Sequence, residues 1–138
     1  MQAKVTLVDG MQFVGEASSG HAIVMDGPPE FGGSDTGVRP SELLLIGLGG
    51  CSGMDVISIL RKKKEAVTGL EIMVSGKKSD SHPKKITEIT IKYVIKGRDI
   101  SENSVKKAVE LSMEKYCSVK HTLEGVSKID FTYEIEAQ

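Results

Sequence analysis

The sequence contains no tryptophan and is thin in aromatics, cysteine and histidine: three phenylalanines, three tyrosines, two cysteines and three histidines in 138 residues. So few aromatic faces leave no stacking platform, and 18 basic residues set against 19 acidic ones leave no basic surface, so no nucleic-acid partner is expected. Cys51 and Cys117 are far apart in the chain, which excludes a CxxC redox motif, and His21, His82 and His121 form no cluster with metal-ligand spacing. No metal and no cofactor are expected. The opening residues Met1 to Leu7 lack the basic, then apolar, then small order of a signal peptide, so the expectation is a cytoplasmic protein with its thiols reduced at rest. A net charge of −1 and 39% hydrophobic residues fit one globular domain over residues 1–138 with a real core.

Against that background one stretch stands out. Residues 40–64, from Pro40 to Lys64, form the only segment both long and apolar enough for a central helix. Pro40 suits a first turn, where its missing N–H loses no partner, and the basic residues Arg61 to Lys64 sit at the negative end of the helix dipole. Apolar residues fall on every side, which predicts burial almost all round. Asp55, Cys51, serines and glycines interrupt the run, so it reads as a core helix rather than a membrane span, and no membrane partner is expected. Gly47, Gly49, Gly50 and Gly53 each cost about 1 kcal/mol relative to alanine in a helix interior. Close approach of another backbone is the expected compensation.

Residues 3–8, 12–17 and 21–25 are rich in Val, Ile, Thr and Phe and are separated by Asp9-Gly10 and Ser18-Ser19-Gly20, which predicts an antiparallel three-strand meander. Residues 26–39 have no helical or strand period and read as a loop, either a pocket edge walled by Phe31 and Met25 or a plain connection. Residues 68–76 and 85–96 alternate apolar and polar around a charged turn, predicting a hairpin with Ile86, Ile89, Ile91, Tyr93 and Ile95 inward. Ser101 opens a second helix with Val105, Ala108, Val109, Ser112, Met113 and Tyr116 on one face. Ser118 is expected to cap a short helix over 119–124 that Gly125 stops, and 127–136 alternates as a last strand. The order predicts an α+β domain without the even strand–helix alternation of a parallel sheet.

Two separate cysteines are most often small core hydrophobes. Here Cys51 lies among helix glycines, where a neighbour can come close, and Cys117 lies at a helix junction beside free N–H groups that lower a thiol pKa. Arg39 and Glu42 read either as a solvated helix start, with Glu42 favoured by the dipole, or as charged groups serving Cys51. Nine residues separate Glu42 from Cys51 on one helix, about 13 Å along the axis and about half a turn out of phase, so the two cannot touch within a chain. Asp55, one turn past Cys51, is expected to bond a neighbouring helix end; the other reading has it orient a catalytic group.

Pro40-Ser41-Glu42-Leu43-Leu44-Leu45, Gly49-Gly50-Cys51, and Tyr116-Cys117-Ser118-Val119 ahead of Leu123 together resemble the OsmC/Ohr family of osmotically induced and organic-hydroperoxide-resistance proteins. The glycine-rich central motif looks most like the OsmC-like branch, and the order of strands and helices matches over nearly the whole chain. The resemblance implies an α+β fold in which antiparallel sheets wrap around the long central helices of an intertwined homodimer. It also implies a thiol-dependent peroxidase: Cys51 attacks an organic hydroperoxide and becomes a sulfenic acid, Cys117 resolves it to a disulfide, and a dithiol reductant resets the pair. In the family's hydroperoxide-reducing members a glutamate directly follows the proline and acts with an arginine from the N-terminal strands. Here Ser41 follows Pro40, Glu42 comes one position later, and no arginine precedes Arg39. Those roles then fall to Glu42 and Arg39, reaching across the dimer. A noncatalytic dimer of the same fold, binding a small apolar or thiol-containing ligand, is the rival reading, and the missing N-terminal arginine speaks for it.

Overall fold

The structure is a computed structural model that describes every residue, Met1–Gln138. Its contacts divide into two compact units, Met1–Leu44 and Leu45–Gln138.

The first unit is the expected meander. Strands β1 (Ala3–Asp9), β2 (Gln12–Ala17) and β3 (Ala22–Met25) pair antiparallel in that order, with Leu7 opposite Phe13 and Val14 opposite Val24. Gly10, at φ +53, makes the left-handed bend between β1 and β2 that a side chain would strain. Val5, Leu7, Val8, Ile23 and Val24 are exposed on this sheet. The following loop is organised by Asp26, which is buried. Its carboxylate accepts the Thr36 hydroxyl and the N–H groups of Gly27, Ser34 and Thr36. Chief among these the Thr36 hydroxyl holds the carboxyl below its usual range, against the opposing effect of burial. Within the chain, Phe31 is 76% exposed on a short 3₁₀ turn, and Met25 packs over Gly15.

In the second unit helix α1 (Pro40–Lys62), which starts in the first unit, leads to strands β4 (Ala66–Lys78) and β5 (Ile86–Arg98), helix α2 (Glu102–Leu111), a π turn at Ser112–Tyr116, helix α3 (Ser118–Leu123) and strand β6 (Lys128–Ala137). β4 and β5 form the expected antiparallel hairpin. β6, however, pairs parallel to β5, placing Ile91 opposite Phe131 and Tyr93 opposite Tyr133. The expectation of antiparallel sheets alone is corrected here: α2 and α3 form the crossover that a parallel pair requires, carrying the chain back to the end of the sheet where β5 begins. Ile89, Ile91, Tyr93 and Ile95 are buried as predicted, in one core with Leu48, Val56 and Leu60 of α1, Val105, Ala108 and Val109 of α2, and Met113.

Two expectations about the helices also change. α1 buries only Leu48, Gly49, Ser52, Gly53, Val56 and Leu60, a stripe at spacings of one, three and four, while Leu44, Ile46 and Met54 are exposed, Met54 at 74%. A helix apolar on every side is therefore buried on one, the side that faces β4, β5, α2, the π turn and the start of α3. Ser101 does cap α2, its hydroxyl accepting the Ser104 N–H. Tyr116 leaves the buried face and is 52% exposed, because the π turn widens the coil and shifts every later residue out of phase.

Candidate functional site

Cys51 projects from the middle of α1 toward the start of α3. It is partly buried, and its sulfur lies 3.8 Å from the Ser118 hydroxyl. Cys117 is fully buried in the single extended residue between the π turn and α3, held by its N–H to the Ser112 carbonyl at 2.8 Å. It, and not Ser118, caps α3: its sulfur accepts the Lys120 N–H at 3.4 Å. A thiol in the capping position leaves the Ser118 side chain free to face Cys51. The His121 ring braces the same turn, its two nitrogens 3.1 and 3.0 Å from the carbonyl oxygens of Cys117 and Glu114.

The two sulfurs adjoin, and their surroundings drive them apart in acidity. Partial burial acts to raise the Cys51 thiol but is outweighed by donors around it, the Val119 N–H, the Cys117 thiol, the Ser118 hydroxyl and the Ser118 N–H, so its pKa is lowered. Burial pushes Cys117 up to about 11; the Lys120 N–H works against this, while donation to Cys51 and the negative charges of Cys51 and Asp55 add to it. Cys51 is thus the more acidic of the pair, and Cys117 the thiol that donates to it. A thiolate beside a protonated thiol can attack an electrophile, and its partner can then reach the modified sulfur.

Beneath Cys51 runs a buried polar chain that periodicity did not single out. The Ser52 hydroxyl meets the Tyr93 hydroxyl at 2.5 Å and the Ser112 hydroxyl at 2.8 Å, and Ser112 donates to the Asp55 carboxylate at 2.9 Å. Burial pushes Tyr93 up to about 12, so it stays a donor. Asp55 does bond a neighbouring helix end, as one of its two readings had it. The signal available in the sequence was a hydroxyl on each of three otherwise apolar inward faces.

Arg39 and Glu42 make their bonds at the start of α1. The Glu42 carboxylate accepts the Arg39 N–H at 2.7 Å, a side chain reaching back to the residue that precedes the helix, and the Arg39 guanidinium binds Asp35 at 2.7 Å and the Gly37 carbonyl at 3.1 Å. All of these bonds stay within residues 35–42. The helix glycines divide. A methyl on Gly49 would come to 3.1 Å from Val74 and one on Gly53 to 2.7 Å from Ile72, whereas Gly47 and Gly50 face nothing within 4 Å. Side chains of β4, rather than a second backbone, fill the space at the first two. Gly50, with Ile46 and Met54, instead opens onto an apolar trough of about 620 Å³ whose other wall is Leu70, Ile72 and Val74 of β4.

Comparison with known proteins bears on the family and the fold. A family described as OsmC-like protein matches residues 32–132. Protein YhfA of Escherichia coli K12 is 40% identical over 137 residues, covering 99% of both chains. The crystal structure of a hypothetical protein from Aquifex aeolicus VF5 superposes with a TM-score of 0.86 at 34% identity, over 99% of this chain and 96% of that one. An organic hydroperoxide resistance protein OsmC from Legionella pneumophila shares the fold, with a TM-score of 0.68 at 16% identity over 96% of this chain and 95% of that one.

Proposed function

Because the chain belongs to the OsmC-like protein family, we propose that it is a cysteine-based, thiol-dependent peroxidase that reduces organic hydroperoxides, with Cys51 attacking and Cys117 resolving. One observation carries the reading: two adjoining sulfurs, one held below and the other pushed above the ordinary thiol pKa. The Legionella protein's name supports the choice of oxidant. The Cys51 thiolate attacks the O–O bond of ROOH. A sulfur–oxygen bond forms, the O–O bond breaks, the sulfur loses two electrons to the peroxide, and RO⁻ takes a proton and leaves as the alcohol. Cys117 then gives up its proton and attacks the Cys51 sulfenic acid; the S–S bond forms and the hydroxyl leaves as water. Two thiols of a dithiol reductant return the pair to the starting state. The protein works as a homodimer in this reading, the apolar trough of α1 covered by the second copy, and Arg39 and Glu42 supply the family's charged pair from that copy.

The test is organic-hydroperoxide consumption with a dithiol. The wild type turns over and shows a Cys51–Cys117 disulfide by mass spectrometry after peroxide, and Cys51→Ser does neither. Equal rates in the two proteins, with no disulfide, would sink the proposal. The rival, a dimer that binds a small apolar or thiol-containing ligand without chemistry, draws on Arg39 being bound to Asp35 and Gly37. It predicts a Cys51 alkylation profile with a midpoint near the ordinary ~8.5, against the lower midpoint expected here.

A further inference from the structure

The direction of every hydrogen bond in the buried chain under Cys51 is fixed by proton counting. A carboxylate only accepts, so the Ser112 hydroxyl donates its single proton to Asp55. Ser112 must then accept from Ser52, and Ser52, its proton used, must accept from Tyr93. The chain therefore runs one way, Tyr93 to Ser52 to Ser112 to Asp55, and Asp55 is the end that sets its polarity.

Its position matters more than its polarity. Ser52 is the residue after Cys51 and Asp55 lies one turn beyond, both on α1, while Ser112 opens the π turn. The Ser112 carbonyl takes the Cys117 N–H at 2.8 Å, so one residue links Asp55 through its side chain and Cys117 through its backbone. Ser52 and Ser112 are fully buried, no buried side-chain polar atom lacks a partner, and Tyr93 anchors the far end in the sheet. Buried, fully satisfied networks of this kind hold one arrangement, because any other leaves a hydroxyl without a partner in a poorly solvated place.

We propose that Asp55 and Ser112 are positioning residues: the one-way chain that ends on Asp55 clamps the π turn to α1 and so keeps the Cys117 sulfur within bonding reach of Cys51. This rests on the pair acting as attacking and resolving thiols. The step it serves is closure of the disulfide, whose rate depends on how well the second sulfur is aimed; because the donors to Cys51 come from residues 117–119 of the same clamped segment, the first attack is measured separately and closure is read against it.

The test separates those steps. Wild type, Ser112→Ala, Asp55→Ala and Asp55→Asn are given one equivalent of an organic hydroperoxide, sulfenic acid is trapped with a dimedone probe, and disulfide is followed by mass spectrometry. Disulfide closure, timed from the trapped sulfenic acid of the same variant, slows about tenfold or more in the two alanine variants and by less in Asp55→Asn, which keeps a carbonyl acceptor. Closure at the wild-type rate in all three variants overturns the proposal. Should the alanine variants fail to fold, Asp55→Asn decides alone: slowing of about threefold or more supports the clamp, and an unchanged rate refutes it. Closure is also driven by diamide, in which one thiolate adds across the N=N bond and the other displaces the hydrazine to give the disulfide. The same order of variants is expected there, so a protein inert to hydroperoxide would sink the peroxidase reading and leave the clamp separately decided.

Discussion

A cysteine is the same side chain at positions 51 and 117, and only its neighbours make one an acid and the other not. That difference has a stability signature. Cys117 and Tyr93 are held protonated in the fold, pushed up to about 11 and about 12. Each therefore adds stability that is fully present below its unfolded value, about 8.5 for the thiol and about 10 for the phenol, and that is lost as pH climbs through the folded one. Cys51, lowered instead, contributes above its unfolded value and loses that contribution as pH falls through its folded one. Melting temperature measured from pH 8 to 12 should fall in two overlapping stages, and Tyr93→Phe should remove the upper stage, worth on the order of 2 kcal/mol. Parallel curves for the two proteins would show that Tyr93 ionises freely. At this scale the sequence was legible in part. Both cysteines stood out by context, but nothing in their spacing places them side by side, because the crossover that does so depends on which way β6 runs. The serine and tyrosine hydroxyls were hidden because Tyr93 and Ser112 fit an inward-facing pattern as well as any apolar residue.

Elements were the easiest part to read, since alternation and helical spacing are local. The six strands, α1 and α3 fall within two residues of their expected bounds, while α2 ends at Leu111, about one turn short of its expected end near Tyr116, where the π turn takes over. What escaped was the joining of elements. A parallel β6, a thiol cap and a π turn each follow from how α2 hands the chain to α3, and five residues of wider coil leave no mark in a periodicity of 3.6. The glycines of α1 show the same limit: the sequence asked for a close neighbour, and β4 supplies it at only two of them. Gly53→Ala puts a methyl 2.7 Å from the end of Ile72. The gain in helix propensity, about 1 kcal/mol, is set against overpacking of about 1–3 kcal/mol. A net loss of about 1 kcal/mol is expected in denaturant melts, and a more stable variant would mean that Ile72 swings aside freely.

Over the whole molecule, the apolar surface left on α1 and on the β1–β3 sheet is the largest fact the chain does not resolve by itself. Light scattering should give about twice the 14.9 kDa chain mass. Gly50→Leu should return a folded monomer, since within the chain that position meets nothing within 4 Å, yet a leucine there would fill the trough floor. An unchanged mass would place the contact elsewhere. Gly50 and Cys51 are consecutive residues, one opening onto the trough and the other onto the start of α3. In the proposed dimer, the copy that covers Gly50 lies one residue along α1 from the attacking sulfur, so dilution that separates the copies should change the rate of Cys51 alkylation, and an unchanged rate would show the two places to be independent.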